Sequence, residues 1–302
     1  MEVERAFWGL KFKVKFLEAT GNEFQVLVQR IMELRFPDEF VTIKPAGRDG
    51  DWKNDGLLTD QRRMLQVYAP EGWKKSRVLA KIDADYLGAA AHWKDTFDTW
   101  TFTHNDMRGI PPYVLDRLNQ LSKSTDNPHH CDQWGYAKLR ELAFQLDDGR
   151  LVELLGPAVT LSHVLAVEVQ DIIPMLRSLE DVAPAPLANV RPVPPDKLEK
   201  NALSEDAELL LLFGMRRSEE VGRYFDRQTM RPLFRDDLGA RFTARYVTFR
   251  EEGLEPDEIV LALVEWIAGP LVTPKTQAAA LAIIAFFFEQ CDIFEDPSKG
   301  TP

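Results

Sequence analysis

The apolar positions of this chain change period several times, and each change suggests an element. Leu10, Phe12, Val14 and Phe16 alternate with Lys11, Lys13 and Lys15. Residues two apart share one face of a strand, so the alternation predicts a strand over 10–16, with a helix running on into the next segment as the alternative. From Asn22 to Leu34, Phe24, Leu27, Ile31 and Leu34 recur at helical spacing. Phe40–Ile43 suggests a short strand, and Ala46–Asp55 is rich in turn formers. Met64–Tyr68 reads as a buried strand interrupted by one polar residue, Gln66. Val78–Trp93 predicts a helix, Trp100–Phe102 another short strand, and Tyr113–Leu121 a helix with Val114, Leu115, Leu118 and Leu121 apolar. Helix, strand, acidic turn, strand, helix, strand is the order of an α/β module.

Val182–Pro195 holds five prolines in 14 residues, which excludes an interior helix or a central strand and suits a semi-rigid linker. The expected organisation is an α/β module over 1–181, a linker over 182–195 and an all-α module over 196–302. In that last module helices are expected within 198–215 and at 218–225, 234–251, 255–268 and 276–288. Ser204 suits the start of the first, and Pro256, Asp257 and Glu258 the start of the fourth. Ala278–Phe288 is an apolar run of eleven residues. A membrane-spanning helix needs about 20, so this run reads as a buried core helix. Phe286, Phe287 and Phe288 point in three directions, since a helix turns about 100° per residue. Either that helix is central to its bundle, or one ring meets another chain, with Phe294 adding an apolar group nearby. A docking or dimerisation role for the C-terminal module follows as an expectation.

Composition changes this picture little. The hydrophobic share is 45% and the charged share 28%, ordinary for a globular chain able to build a core. Cys131 and Cys291 form no spaced pattern, which argues against a disulfide framework or a zinc knuckle and fits a reducing compartment. The first residues have no apolar signal region, so a cytoplasmic location is expected. The net charge of −11 argues against a nucleic-acid binder over its whole surface. The charge is uneven, however. Residues 41–81 carry nine basic and five acidic side chains, whereas 196–302 carry 13 basic and 20 acidic. Basic character therefore gathers in the α/β module.

The candidate chemistry lies in Gly47–Pro70. Asp55 precedes Gly56, and Gln66 stands mid-strand with Tyr68 two residues on, facing the same way. A carboxylate and an amide oxygen placed side by side on adjacent strands could hold a hard cation such as Mg²⁺. Asp49, Asp51 and Asp55 also suit a turn on backbone grounds alone, and Gln66 could be a structural amide. His104, Asn105 and Asp106 read more readily as loop caps than as a catalytic group, because no Ser or Cys nucleophile accompanies them. His129, His130 and Cys131 fit no standard zinc spacing and read as a solvated loop. The chain has no Walker A or dinucleotide glycine motif, so an ATPase would have to be a partner.

At Asp55 and Gln66 the chain resembles the PD-(D/E)XK nuclease superfamily, in which an Asp opens the second strand and Glu or Gln, any residue, then Lys occupies the third. The resemblance implies a restriction-endonuclease-like mixed sheet flanked by helices. It implies a Mg²⁺ site of Asp55 and Gln66 with Asp51 at its edge, and Glu23 as the acid on the first helix. Tyr68 stands where the lysine belongs, and Lys53 is the nearest substitute. The stretches GNEFQVLVQRIM, GDWKNDG, QVYAP, HNDMRGIPP, KLEKNALSEDAELLLLFG and AFFFEQCDIFEDP look like a bacterial anti-phage family, the ABC-three component systems related to Lamassu-type defence. That resemblance spans most of 19–115 and 196–297. It implies an SMC-like ATPase partner, DNA as a candidate target and a homo-oligomer or docking contact through the C-terminal domain. The resulting expectation is a metal-dependent DNA endonuclease effector or a degenerate descendant. The alternative is a non-catalytic adaptor linking the ATPase to another component.

Overall fold

The computed structural model describes residues 2–43, 53–70, 72–124, 128–179, 202–227, 234–270 and 272–289. Asp51, the whole expected linker 182–195 and Phe294 lie outside the described residues. Contacts divide the chain into Met1–Val14 with Pro157–Pro302, and Lys15–Gly156.

Residues 10–16 are helical, not extended: α1 runs Glu2–Glu18. The strand-like alternation arises because α1 is buried on two opposite sides. At 100° per residue, Val3, Phe7, Leu10 and Val14 form one stripe, and Trp8, Phe12 and Phe16 form another roughly half a turn away. All seven are buried. Two such stripes two residues out of step look like a strand in sequence. The lysines lie between them and are anchored: Lys11 donates to the Pro157 carbonyl and Lys13 pairs with Asp257 at 2.9 Å, while Lys15 donates to the Leu154 carbonyl.

In the unit Lys15–Gly156, α2 (Gly21–Arg35) is followed by β1 (Phe40–Val41), β2 (Gly56–Leu58) and β3 (Arg63–Tyr68). Then come α3 (Lys75–Trp93), β4 (Thr99–His104), α4 (Pro112–Lys123), β5 (His130–Trp134), α5 (Tyr136–Ala143) and α6 (Asp148–Leu155). The sheet has order β1-β2-β3-β4-β5, with β1–β2 and β2–β3 antiparallel and β3–β4 and β4–β5 parallel. This is the mixed sheet flanked by helices that was expected. Each parallel step needs a crossover, and α3 and α4 supply the two. Those helices cover one face, where Val78, Ile82 and Tyr86 of α3 and Val114 and Leu118 of α4 meet Met64, Trp100 and Phe102.

His129, His130 and Cys131 are not the solvated loop expected from sequence. His129 and Cys131 are buried, and β5 forms the sheet edge. His129 Nε2 donates to the Lys94 carbonyl at 2.9 Å, which leaves Nδ1 to accept from Tyr86 Oη at 3.0 Å. Burial pushes the Cys131 thiol up to about 12. Both side chains are therefore structural.

The other unit is helical: α7 (Leu161–Leu165), α8 (Val169–Ser178), α9 (Glu205–Met215), α10 (Ser218–Asp226), α11 (Phe234–Glu251), α12 (Pro256–Ala268) and α13 (Pro274–Glu289). The boundary differs from the one expected at 181, because α7 and α8 pack on α13 and group with the C-terminal helices. α13 is the central helix, with α7, α8, α9, α10 and α12 around it, and Gln277–Phe288 are buried on every side. Phe286 stacks on Phe225 of α10, and Phe287 stacks on Phe242 of α11 with centroids 4.3 Å apart. Two of the three rings thus meet partners within the bundle, and Phe288 is buried as well. Ser204 caps α9 through the Ala207 N–H, and a capping box of Glu255 and Glu258 starts α12. Among the described residues, no helix is long and apolar enough to cross a membrane.

Candidate functional site

The site forms where β2 begins beside the end of β3. The Asp55 N–H donates to the Leu65 carbonyl at 3.1 Å. This extends the antiparallel pairing of Gly56 with Leu65 by one residue and sets Asp55 across from Gln66. Asp55 Oδ2 accepts from Gln66 Nε2 at 2.6 Å and from the Val67 N–H at 2.7 Å, and Oδ1 accepts from Gln25 Nε2 at 3.0 Å. The carboxylate and the strand amide expected to meet do meet, and a residue of α2 joins them. That residue is Gln25, not Glu23. The two stand 200° apart around the helix, and Glu23 instead lines a separate open pocket of about 350 Å³ with Lys15, Asn22 and Val26.

Gln66 is only 5% exposed, and its Oε1 has no hydrogen-bond partner. The neighbouring Asn54 is fully buried: its Oδ1 accepts from the Gly56 N–H at 2.9 Å, while its Nδ2 is unpartnered. An orphaned buried polar group costs about 1–3 kcal/mol, so two beside one carboxylate mark a place where a ligand would recover that cost. A hard divalent cation takes oxygen ligands and commonly only one or two protein carboxylates, the rest being water and phosphate. Asp55 and Gln66 Oε1 are oxygens of that kind, and with Gln66 Nε2 turned to Asp55 both would face one cation only after the amide flips. Among the described residues no group of three or more His, Cys, Asp or Glu side chains comes together as a metal site, so a cation held here would draw its other ligands from solvent and substrate.

Lys53 reaches a different acid. Its Nζ lies 3.2 Å from Asp85 Oδ1, and Lys81 Nζ pairs with Oδ2 of the same carboxylate. Asp85 belongs to the buried face of α3 together with Val78, Ile82, Tyr86 and Ala89. Tyr68 packs against Trp73 and Phe102. Burial raises its hydroxyl above the ordinary value, with the Arg77 charge opposing and the Asp85 charge reinforcing the shift. Tyr68 thus lies within the field of the Asp85 group, whereas Gln66 is tied to Asp55.

Sequence reasoning missed Gln25, Asn54, Lys81 and Asp85. Asp85 did leave a signal: it is a carboxylate set inside an apolar helical stripe, where only a paired charge is tolerated. As expected, Asp106 caps its loop by accepting from the Arg108 N–H; His104 ends β4, is fully buried and caps the same loop. Its Nδ1 accepts from the Asp106 N–H and its Nε2 donates to Gln133 Oε1, a tautomer assigned from these partners. Burial lowers its pKa, so the imidazole stays neutral and structural.

Residues 168–295 match the family model of C-terminal domain 10 of the ABC-three component (ABC-3C) systems. No curated protein and no solved structure matches the chain.

Proposed function

We propose that this chain, whose residues 168–295 carry an ABC-three component C-terminal domain, is the effector component of an anti-phage complex and that its α/β unit is a metal-dependent DNA endonuclease or a descendant of one. The observation that carries the reading is the Asp55–Gln66 pair, in contact at 2.6 Å with Gln66 Oε1 buried and unpartnered. The mixed sheet, with the acid at the head of its second strand and the amide on its third, supports it. Mg²⁺ bound by Asp55 and Gln66 would polarise a phosphodiester and lower the pKa of an attacking water. The protein's own part is to hold those two oxygens against the end of β3, with Gln25 and the Val67 N–H fixing the carboxylate.

The test uses the complex assembled with its partner components, Mg²⁺ and DNA. Asp55→Ala and Gln66→Ala are each expected to abolish cleavage while leaving the circular dichroism and melting temperature of the chain near those of the parent. If both variants cut DNA as well as the parent, the two residues are structural and the reading fails. A second reading, a non-catalytic adaptor, is favoured by one specific feature: Tyr68 occupies the lysine position while Lys53 and Lys81 are held on Asp85. It takes over if the complete complex with metal never cuts.

A further inference from the structure

We infer that the side-chain amide of Gln66 is a lock on the cation site: turned as it stands, it donates to Asp55 and keeps a cation out, and half a turn about its last torsion admits one. This rests on the nuclease reading for the cation, but not on cleavage.

The Asp55 carboxylate is already provided with donors. Oδ2 accepts from Gln66 Nε2 at 2.6 Å and from the Val67 N–H at 2.7 Å, and Oδ1 accepts from Gln25 Nε2 at 3.0 Å. The Val67 donor is main chain and stays where β3 puts it. The Gln66 donor belongs to an amide, which carries N–H groups at one end and an oxygen at the other. Which end faces Asp55 follows from charge: beside a carboxylate the amide presents its N–H. A hard cation bridging the two residues needs the reverse, because it is repelled by an N–H group and binds only the oxygen. The last torsion of a glutamine is broad and roughly two-fold, so one side chain has both orientations open to it with the backbone of β3 unmoved.

The two orientations carry opposite penalties. With the N–H on Asp55, the hydrogen bond is made but Gln66 Oε1 is stranded, buried and without a partner. With the oxygen on Asp55 and no cation between them, an acceptor faces an anion. The closed orientation is therefore preferred without a cation and the open one with it, because the cation shifts the balance by binding only one of the two states. Asn54 gives the contrast. It is fully buried and also has a stranded atom, Nδ2, but its Oδ1 is held by the Gly56 N–H, so that amide is fixed. Gln66 Oε1 has no such tie. The apparent affinity for a cation falls by the fraction of chains in the open orientation, so the lock keeps the site weak until the amide turns.

The experiment observes the amide in the full chain, without DNA, by proton–nitrogen NMR with the glutamine side chains labelled and the Val67 N–H as the reporter of Asp55. Without a cation, the Gln66 side-chain N–H should show the downfield shift and slow solvent exchange of a buried, hydrogen-bonded proton. Titration with Mg²⁺ should abolish that shift in step with the change at the Val67 N–H. Mn²⁺ binding, read by electron paramagnetic resonance, gives the size of the lock. Gln66→Glu has no N–H to donate and should bind Mn²⁺ more tightly than the parent. Gln25→Glu adds the same charge beside Asp55 with the Gln66 amide in place, so it measures the effect of charge alone. For an open fraction of about a tenth, Gln66→Glu should exceed Gln25→Glu by about tenfold. Should Gln66→Glu fail to fold by circular dichroism, the NMR of the parent decides the matter. The inference is overturned if the Gln66 N–H keeps its bonded signal while Mg²⁺ moves the Val67 N–H to saturation, or if it lacks that signal without a cation. It is equally overturned if Gln66→Glu gains no more than Gln25→Glu, or if the parent binds no cation. A parent whose amide turns with Mg²⁺ but which never cuts in the assembled complex upholds the lock and sinks the nuclease reading. A parent that cuts while its Gln66 N–H stays on Asp55 does the reverse.

Discussion

Gly214 is the tightest point of the helical unit, and one methyl group there should reverse a normally favourable substitution. In an exposed helix interior, Gly→Ala gains about 1 kcal/mol. At Gly214 of α9, however, an added Cβ would lie 2.5 Å from the Leu281 carbonyl oxygen, 2.9 Å from its carbon and 3.0 Å from Ala285 Cβ, all on α13. Ordinary carbon contacts sit at about 3.5–4.0 Å, so the helices must part by about 1 Å, a gap that forfeits a quarter to a half of each contact along the seam. The obstacle is main chain, so no rotamer change relieves it, and α13 is packed on all sides and cannot shift as a body. Overpacking of this kind costs about 1–3 kcal/mol. With the upper end of that range set against the propensity gain, Gly214→Ala should lose about 2 kcal/mol. Gly222→Ala on α10 is the control: its Cβ would meet only Phe286 Cε2 at 3.6 Å, so the propensity gain should stand alone. Urea unfolding followed by circular dichroism measures both. With a slope of about 1–3 kcal/mol per molar urea, the Gly214→Ala midpoint should fall by about 1 M and the Gly222→Ala midpoint should rise slightly. The chain has two units, so each variant must be read on the transition that both substitutions move. A Gly214→Ala protein as stable as the parent, or a common sign for the two variants, refutes the reasoning.

Two further predictions concern buried titratable groups. His104 is held below the ordinary imidazole pKa, so between pH 7 and 5 the unfolded chain takes up a proton there that the folded chain resists. Stability is full above the unfolded value near 6.5 and is lost as pH falls through it towards the folded value. His104→Gln should flatten that loss in urea titrations at several pH values, and an unchanged pH slope would count against the assignment. Cys131 is buried with its thiol pushed up to about 12, so it should resist iodoacetamide at pH 8 until urea unfolds its unit. Peptide mass spectrometry showing modification of Cys131 in the native protein would contradict this.

Much of this molecule could be read directly from the order of its residues. The helices at 21–35, 75–93 and 112–123 and most of the C-terminal bundle follow from local periodicity, because burying one stripe needs only neighbours three and four residues away. The interrupted strand at Met64–Tyr68 and the acid before Gly56 could likewise be picked out, since a polar residue in an apolar strand needs a partner wherever it is placed. What could not be read from sequence depends on contacts between distant segments. α1 looked like a strand because two opposite helical stripes interleave into an alternation, and only packing on both sides distinguishes the two. β5 looked like a loop because its polar Asp132 and Gln133 are satisfied from other elements: Asp132 by Arg63 and Thr101, and Gln133 by His104. The choice of Gln25 over Glu23 depended on the rotation of α2 about its own axis. Asp85, over thirty residues beyond Lys53 in sequence, meets that lysine only through the crossover that lays α3 over the sheet. Periodicity along a chain determines which faces must be buried, but it carries no information about which buried face meets which, and here that pairing brought the acid to its two lysines.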